Sequence, residues 1–171
     1  MSKAECKVRI IGVGNPYRGD DGAGIAVARI LRSRLPSHVD VIEQNGEGTS
    51  LAESWKGVGL VIVVDAGQSG VTPGTIRRFD AQSDGIPIEI FGRSTHNFGV
   101  ASAVELGRAL GELPSRLVIY AIEGRDFSPG GKLTPPVERG VREASEKILL
   151  EVLQAGESDI TLFSAAEHFA L

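Results

Sequence analysis

The chain has 171 residues, of which 42% are hydrophobic and 23% charged, the composition of an ordinary folded domain that can bury a substantial core. Its net charge of −4 argues against a basic surface for nucleic acid or an anionic membrane. The single cysteine, Cys6, excludes an intrachain disulfide framework and a cysteine-based zinc cluster, and no apolar run approaches membrane-spanning length. We therefore expect a cytoplasmic protein with no N-terminal signal peptide.

The first half of the chain alternates between strand and helix patterns. A short β-branched run closed by glycine predicts a buried strand at Val8–Val13. An amphipathic pattern over Gly22–Leu35, ended by Pro36, predicts the first helix. A second strand is predicted at Val39–Glu43, followed by a short helix at Thr49–Trp55.

The central part of the chain contains the most apolar strand. Leu60–Gly67 is apolar except for Asp65, which we place at the end of the strand. Pro73 and two arginines in "PGTIRRFD" are typical of an outer strand. The pattern of Ile86–Phe91 fits either a short strand or an irregular crossing.

Two helices and one strand are predicted in the last third. Asn97–Leu110 and Thr134–Leu153 have helical apolar patterns, and Arg116–Gly124 has the pattern of a further buried strand. Strands that alternate with helices predict an α/β fold, a mostly parallel sheet covered on both faces. We expect one domain over residues 1–171, with its core at about 8–153. The tail, 154–171, could form a short helix, dock or fray.

Three polar side chains are predicted to meet at one edge of this sheet. In an open α/β sheet the binding crevice lies beyond the carboxyl ends of the strands. Asp21 follows the first strand, Asp65 ends the central strand and His96 precedes a helix. Two carboxylates and one imidazole suit a first-row divalent ion, with water or another molecule completing the coordination.

Structural roles compete with this interpretation. Asp20 at the start of a helix is expected to be an N-cap, which leaves Asp21 free to face the crevice. Asp65 alone could accept hydrogen bonds from turn amides, and a lone histidine is often a satisfied polar residue. His38 and His168 have no comparable context and are expected at the surface.

Other polar residues near the crevice have two possible roles each. Asn15 and Arg18 could line the mouth or cap turns, and Glu123 could lie at the rim or be solvated. Asp20 or another carboxylate could act as the base that activates water.

Common catalytic and nucleotide motifs are absent from the sequence. Gly12 and Gly14 are followed by Tyr17 where a dinucleotide fingerprint requires glycine, and Asp20 and Asp21 would repel a phosphate. There is no Walker motif, no G-x-S-x-G and no H-E-x-x-H. Cys6 precedes the first strand, so if the protein is a hydrolase, a water molecule activated near a metal is the more plausible attacking group.

Four segments in order carry a family resemblance. They are "GVGNPYRGDDGAG", "VVDAG", "STHNFGVASAVELGRALG" and "GGKLTPPV". Together they resemble the [NiFe]-hydrogenase maturation endopeptidases, and the resemblance runs from about Val8 to Leu153. It implies a three-layer αβα sandwich with a twisted sheet of about five strands.

The resemblance also implies an activity. Members of that family remove a C-terminal peptide from the hydrogenase large subunit precursor after nickel insertion. The substrate nickel is the recognition element, so no resident cofactor is expected. By motif the acidic, acidic, histidine trio falls on Asp21, Asp65 and His96, although some relatives have Glu at the first position. A non-catalytic nickel chaperone and a nucleotide-binding enzyme remain alternatives.

Overall fold

The fold is described from a computed structural model that covers residues 7–91 and 99–167, with side chains through Gly156. Its centre is a five-stranded sheet in the order β2-β1-β3-β5-β4. The strands are β1 (Val8–Val13), β2 (Asp40–Gln44), β3 (Leu60–Gly67), β4 (Ile76–Asp80) and β5 (Arg116–Glu123). All neighbours pair in parallel except β4, which runs antiparallel to β5 at the edge of the sheet.

Helices cover both faces of this sheet. They are α1 (Ala23–Arg32), α2 (Gly48–Ser54), α3 (Val100–Leu110) and α4 (Pro135–Glu167). One core cluster joins α1 and α4 to the face of Ile10 and Ile62, and the other joins α2 and α3 to the face of Ile11 and Val63. Each fully buried Val or Ile stabilises the fold by about 1.5–3 kcal/mol. The architecture is therefore the expected three-layer α/β sandwich.

The order of the strands determines where a crevice opens. From β1 the chain moves through α1 to β2 on one side, and then through α2 to β3 on the other side of β1. The connections on either side of β1 therefore diverge at the carboxyl ends of β1 and β3. Such a switch point is where open α/β sheets bind ligands.

Several predicted elements differ from the structure. Ile86–Phe91 contains no strand, because the segment after Pro87 forms a 3₁₀ helix, Ile88–Phe91. The last helix continues past the predicted end at Leu153 to Glu167, since no proline interrupts it after Pro136. No helix among the described residues is both long and apolar enough to cross a membrane.

Candidate functional site

Glycines bring the first turn of the site against the sheet. A Cβ atom on Gly14, whose φ is 137°, would lie 1.9 Å from the carbonyl oxygen of Asp21. A Cβ atom on Gly24 would lie 2.1 Å from the carbonyl oxygen of Val64. Only glycine permits both approaches. As a result the 3₁₀ turn Gly19–Gly22 lies at the switch point, in contact with β3.

Asp21 faces this switch point from the 3₁₀ turn. Its side chain is partly buried, and one oxygen accepts the backbone N–H of Asn15 at 3.0 Å. Burial raises the pKa of the Asp21 carboxyl, against the lowering effects of that N–H and of the Arg18 charge. Asn15 also closes its own turn, because its Oδ1 accepts the N–H of Tyr17. Asn15 therefore has the expected turn role, and Arg18 contributes a nearby exposed charge.

Asp65 lies inside β3, two residues before the strand ends. Its Oδ1 accepts the N–H of Ala66 at 2.8 Å, and the residue as a whole is only partly exposed. Loss of hydration is the main cause that raises the pKa of the carboxyl from 3.8 to about 8; the Ala66 N–H opposes this rise and the negative charge of Asp21 contributes to it. The structure thus brings the two predicted acids close enough to repel each other.

The third predicted ligand cannot be placed in the same way. His96 lies outside the described residues, as do Cys6 and His168. Among the described residues, no three His, Cys, Asp or Glu side chains form a group that could hold a metal ion. The trio of Asp21, Asp65 and His96 stays a prediction, of which two members are seen together. His38 is exposed, as expected.

The expectation that Asp20 caps the helix is wrong. The N-cap of α1 is Gly22, and no side chain caps it. Asp20 is fully buried and its carboxylate accepts backbone N–H bonds from Arg125, Asp126 and Thr134. Because Asp20 lies in the 3₁₀ turn that precedes the helix, its side chain contacts a loop distant in sequence instead of the first helical amides. Its oxygens are fully engaged, so it is also unsuited to be the base that activates water.

The expectations that Glu123 lies at the rim or in solvent are both wrong. It is 3% exposed at the end of β5, opposite Gly67 of β3. Its carboxylate accepts the N–H groups of Ser69 and Gly70, each at 2.7 Å, and the Ser69 hydroxyl at 2.9 Å. Glu123 therefore fixes the loop that follows β3, the strand that contains Asp65. A glutamate that continues a buried apolar strand was the sequence signal that could have suggested this.

Glu123→Gln should destabilise the protein by about 2 kcal/mol, because the new amide group would face backbone N–H donors that it cannot satisfy. Urea unfolding at neutral pH measures the difference. Glu89→Gln, at an exposed position, is the matched control and should change stability by less than about 0.5 kcal/mol. Equal stability of the two variants would show that the buried contacts of Glu123 contribute nothing.

The raised pKa of Asp65 has a defined consequence for stability. A carboxyl with a pKa of about 8 in the folded state and 3.8 as its ordinary value binds more protons folded than unfolded between these limits. Its ionisation cost is absent below about pH 4, grows as pH rises and is complete above about pH 8. Asp65→Asn cannot ionise, so between pH 5 and pH 8.5, which include about three pH units below the folded pKa, it should gain about 4 kcal/mol relative to wild type. Urea unfolding at both pH values measures this gain, and parallel pH profiles would contradict it.

Comparison with known proteins places this chain in a family. The family model HycI, hydrogenase maturation protease, matches residues 25–151, which include Asp65 and His96. The putative hydrogenase maturation protease of Methanocaldococcus jannaschii is 31% identical over 157 residues, 85% of this chain and 96% of that protein. Hydrogenase 2 maturation protease of Escherichia coli is 26% identical over 154 residues, 88% and 93% of the two chains.

Solved structures have the same fold. The hydrogenase maturating endopeptidase HybD from E. coli superposes with a TM-score of 0.69 at 24% identity, covering 88% of this chain and 94% of that one. The [NiFe] hydrogenase maturation protease HybD from Thermococcus kodakarensis gives 0.61 at 25% identity, covering 83% and 96%. The family model and the 31% identical relative show that the chain belongs to the hydrogenase maturation protease family and is a hydrolase of peptide bonds.

Proposed function

We propose that this protein is an endopeptidase that removes a C-terminal peptide from the nickel-loaded large subunit precursor of a [NiFe] hydrogenase. In this proposal the nickel belongs to the substrate and is the element that the enzyme recognises. The single observation that carries it is the meeting of Asp21 and Asp65 at the switch point of the sheet, in a chain of the hydrogenase maturation protease family.

The electrostatics of the two acids favour a cation between them. Burial is the largest cause that raises the pKa of each carboxyl, and in Asp65 the charge of Asp21 adds to it. A divalent ion removes this repulsion and compensates for the lost hydration. Carboxylates and imidazole are suitable ligands for nickel, and we infer that His96 supplies the third.

Proton release accompanies binding in this proposal. With a pKa of about 8, Asp65 carries its proton at neutral pH in the free enzyme. The nickel of the precursor must displace that proton before the carboxylate can bind it. Precursor binding should therefore strengthen as pH rises toward 8. A precursor without nickel brings no positive charge to compensate the ionised carboxylate of Asp65. The site therefore discriminates between nickel-loaded and nickel-free precursors.

Holding the substrate nickel also positions the bond that is cut. Three protein ligands leave other coordination positions to the ligands of the precursor. The peptide bond to be cut, near the nickel, is then held beside the catalytic residues of the enzyme. Its cleavage becomes effectively an intramolecular step, with the entropy cost of positioning already met by binding. We infer that water attacks the carbonyl carbon of this bond, and that the C–N bond breaks to release the shorter subunit and the C-terminal peptide.

The nickel requirement is tested with one precursor in two states. The nickel-free precursor should be processed at least about tenfold more slowly than the loaded one, because each 1.4 kcal/mol of lost binding lowers kcat/KM tenfold. Nickel added back to the same preparation should restore the rate, which controls for damage during metal removal. Equal rates for both states would contradict nickel recognition. Nickel binding without any shortening of the precursor would favour a non-catalytic chaperone.

A further inference from the structure

The segment Gly124–Thr134, here called the 124–134 loop, joins β5 to α4 beside the turn that contains Asp21. Both of its ends are held by the one buried carboxylate of Asp20. That carboxylate accepts the N–H groups of Arg125 at 2.8 Å and Asp126 at 2.9 Å near the start of the loop. At its end it accepts the N–H of Thr134 at 2.7 Å and the hydroxyl of the same residue at 2.9 Å.

Backbone hydrogen bonds continue this contact along the loop. The N–H of Asp20 donates to the carbonyl of Asp126 at 2.8 Å, and the N–H of Gly19 donates to that of Gly131 at 3.2 Å. A Cβ atom on Gly19, whose φ is 54°, would lie 2.3 Å from the carbonyl oxygen of Asp126. The turn and the 124–134 loop are therefore packed backbone against backbone, with Asp20 at their centre.

Asp20 and Asp21 are neighbours with different partners. Asp20 contacts the 124–134 loop, whereas Asp21 accepts the N–H of Asn15 and interacts with Asp65. The position of Asp21 therefore depends on how firmly the 3₁₀ turn is held by the loop on its other side. A carboxylate with charge-assisted bonds to three backbone amides is a strong attachment.

We propose that Asp20 is a positioning residue for the reaction. By holding the turn Gly19–Gly22 against the 124–134 loop, it fixes Asp21 at the separation from Asp65 at which both bind the substrate metal. A displaced Asp21 would bind the substrate metal less tightly and weaken precursor binding, so the attachment matters even though Asp20 touches no substrate. This inference rests on the proposed function.

The test compares Asp20→Asn with Asp84→Asn. Asp84 also accepts a backbone N–H at 2.8 Å, from Asp80, but β4 ends there at the opposite edge of the sheet. We expect Asp20→Asn to raise KM for the nickel-loaded precursor at least about tenfold with kcat within about threefold of wild type. A merely structural role would reduce the folded fraction and lower apparent kcat with KM unchanged. Asp84→Asn should leave both constants within about twofold.

Hydrogen exchange provides the second readout. In Asp20→Asn the amides of Arg125, Asp126 and Thr134 should exchange faster than in wild type, since their acceptor has been weakened. Faster exchange with an unchanged KM would overturn the positioning role. Unchanged exchange would overturn the attachment itself.

A milder pair keeps the test valid if Asp20→Asn fails to fold. Thr134→Val removes one hydroxyl donor to Asp20 and should raise KM about threefold, whereas Thr134→Ser keeps the hydroxyl and should restore the wild-type value. A serine variant that behaves like the valine variant would overturn the inference. Processing by the wild type is measured first. If the wild type leaves the precursor intact, the proposed function is refuted. If the wild type processes the precursor and Thr134→Val has the same KM, only the positioning role is refuted.

Discussion

Asp65→Asn should lower kcat/KM for the nickel-loaded precursor by at least about a thousandfold, a loss of about 4 kcal/mol of transition-state stabilisation. The substitution keeps the size of the side chain but removes the negative charge that is proposed to bind the substrate metal. It also removes an ionisation that costs the folded state free energy at high pH, so the variant should be folded and at least as stable as wild type. Processing rates from a gel or mass assay, with circular dichroism beside them, measure both expectations.

Asp40→Asn is the matched control for this experiment. Asp40 forms an exposed ion pair with Arg9 at 2.5 Å, and loss of such a pair costs less than about 1 kcal/mol. His96→Ala and Asp65→Ala complete the series, because both remove a proposed ligand. If both alanine variants process the precursor at the wild-type rate, the trio is not the functional site.

Gly24→Ala should destabilise the fold by about 3 kcal/mol, the upper end of the usual range for overpacking. The added methyl group would lie 2.1 Å from the carbonyl oxygen of Val64 and 2.4 Å from that of Val13. Both obstacles are backbone atoms of central strands, so α1 must move away from the sheet. Since the turn with Asp21 precedes α1, the separation of Asp21 and Asp65 should change too. Urea unfolding measures the loss.

The control for Gly24→Ala is the same substitution in α4. Apart from its chain neighbours and the backbone of its own helix, a methyl group on Gly156 would meet no described atom within 4 Å, so Gly156→Ala should be neutral or stabilise the helix by up to about 1 kcal/mol. The two variants are therefore expected to change stability in opposite directions. A Gly24→Ala protein as stable as the Gly156→Ala protein would show that close packing of α1 is not required.

The fold could be predicted because its signals are local. Leu60–Gly67 is buried along nearly its whole length, as expected for a central parallel strand. The outer position of β4 followed from Pro73 and the arginines, and it was confirmed. The end of α4 could not be predicted in this way, because residues after Leu153 lack a strong apolar pattern and contain no proline that would stop a helix.

The roles of the buried carboxylates could not be predicted because their partners are distant in sequence. Asp20 accepts hydrogen bonds from residues 105 to 114 positions away, and Glu123 from residues 53 and 54 positions away. A consecutive pair of acids before a helix gives a local explanation, the N-cap, and nothing in the sequence identifies a competing loop. The prediction for Asp21 used the end of β1, the switch point and the N-cap role of Asp20, and this last premise is wrong. The charge of Asp21 does act on the carboxyl of Asp65, while the role of Asp21 as a metal ligand stays a prediction.

Intact-mass analysis of a nickel-loaded large subunit precursor, before and after incubation with this protein, tests the central claim most directly. We expect the precursor to lose the mass of one C-terminal peptide with the wild-type protein and to keep its full mass with Asp65→Asn. A precursor that is bound but unchanged in mass after incubation with the wild type, or one that is shortened equally by Asp65→Asn, would contradict the proposed function.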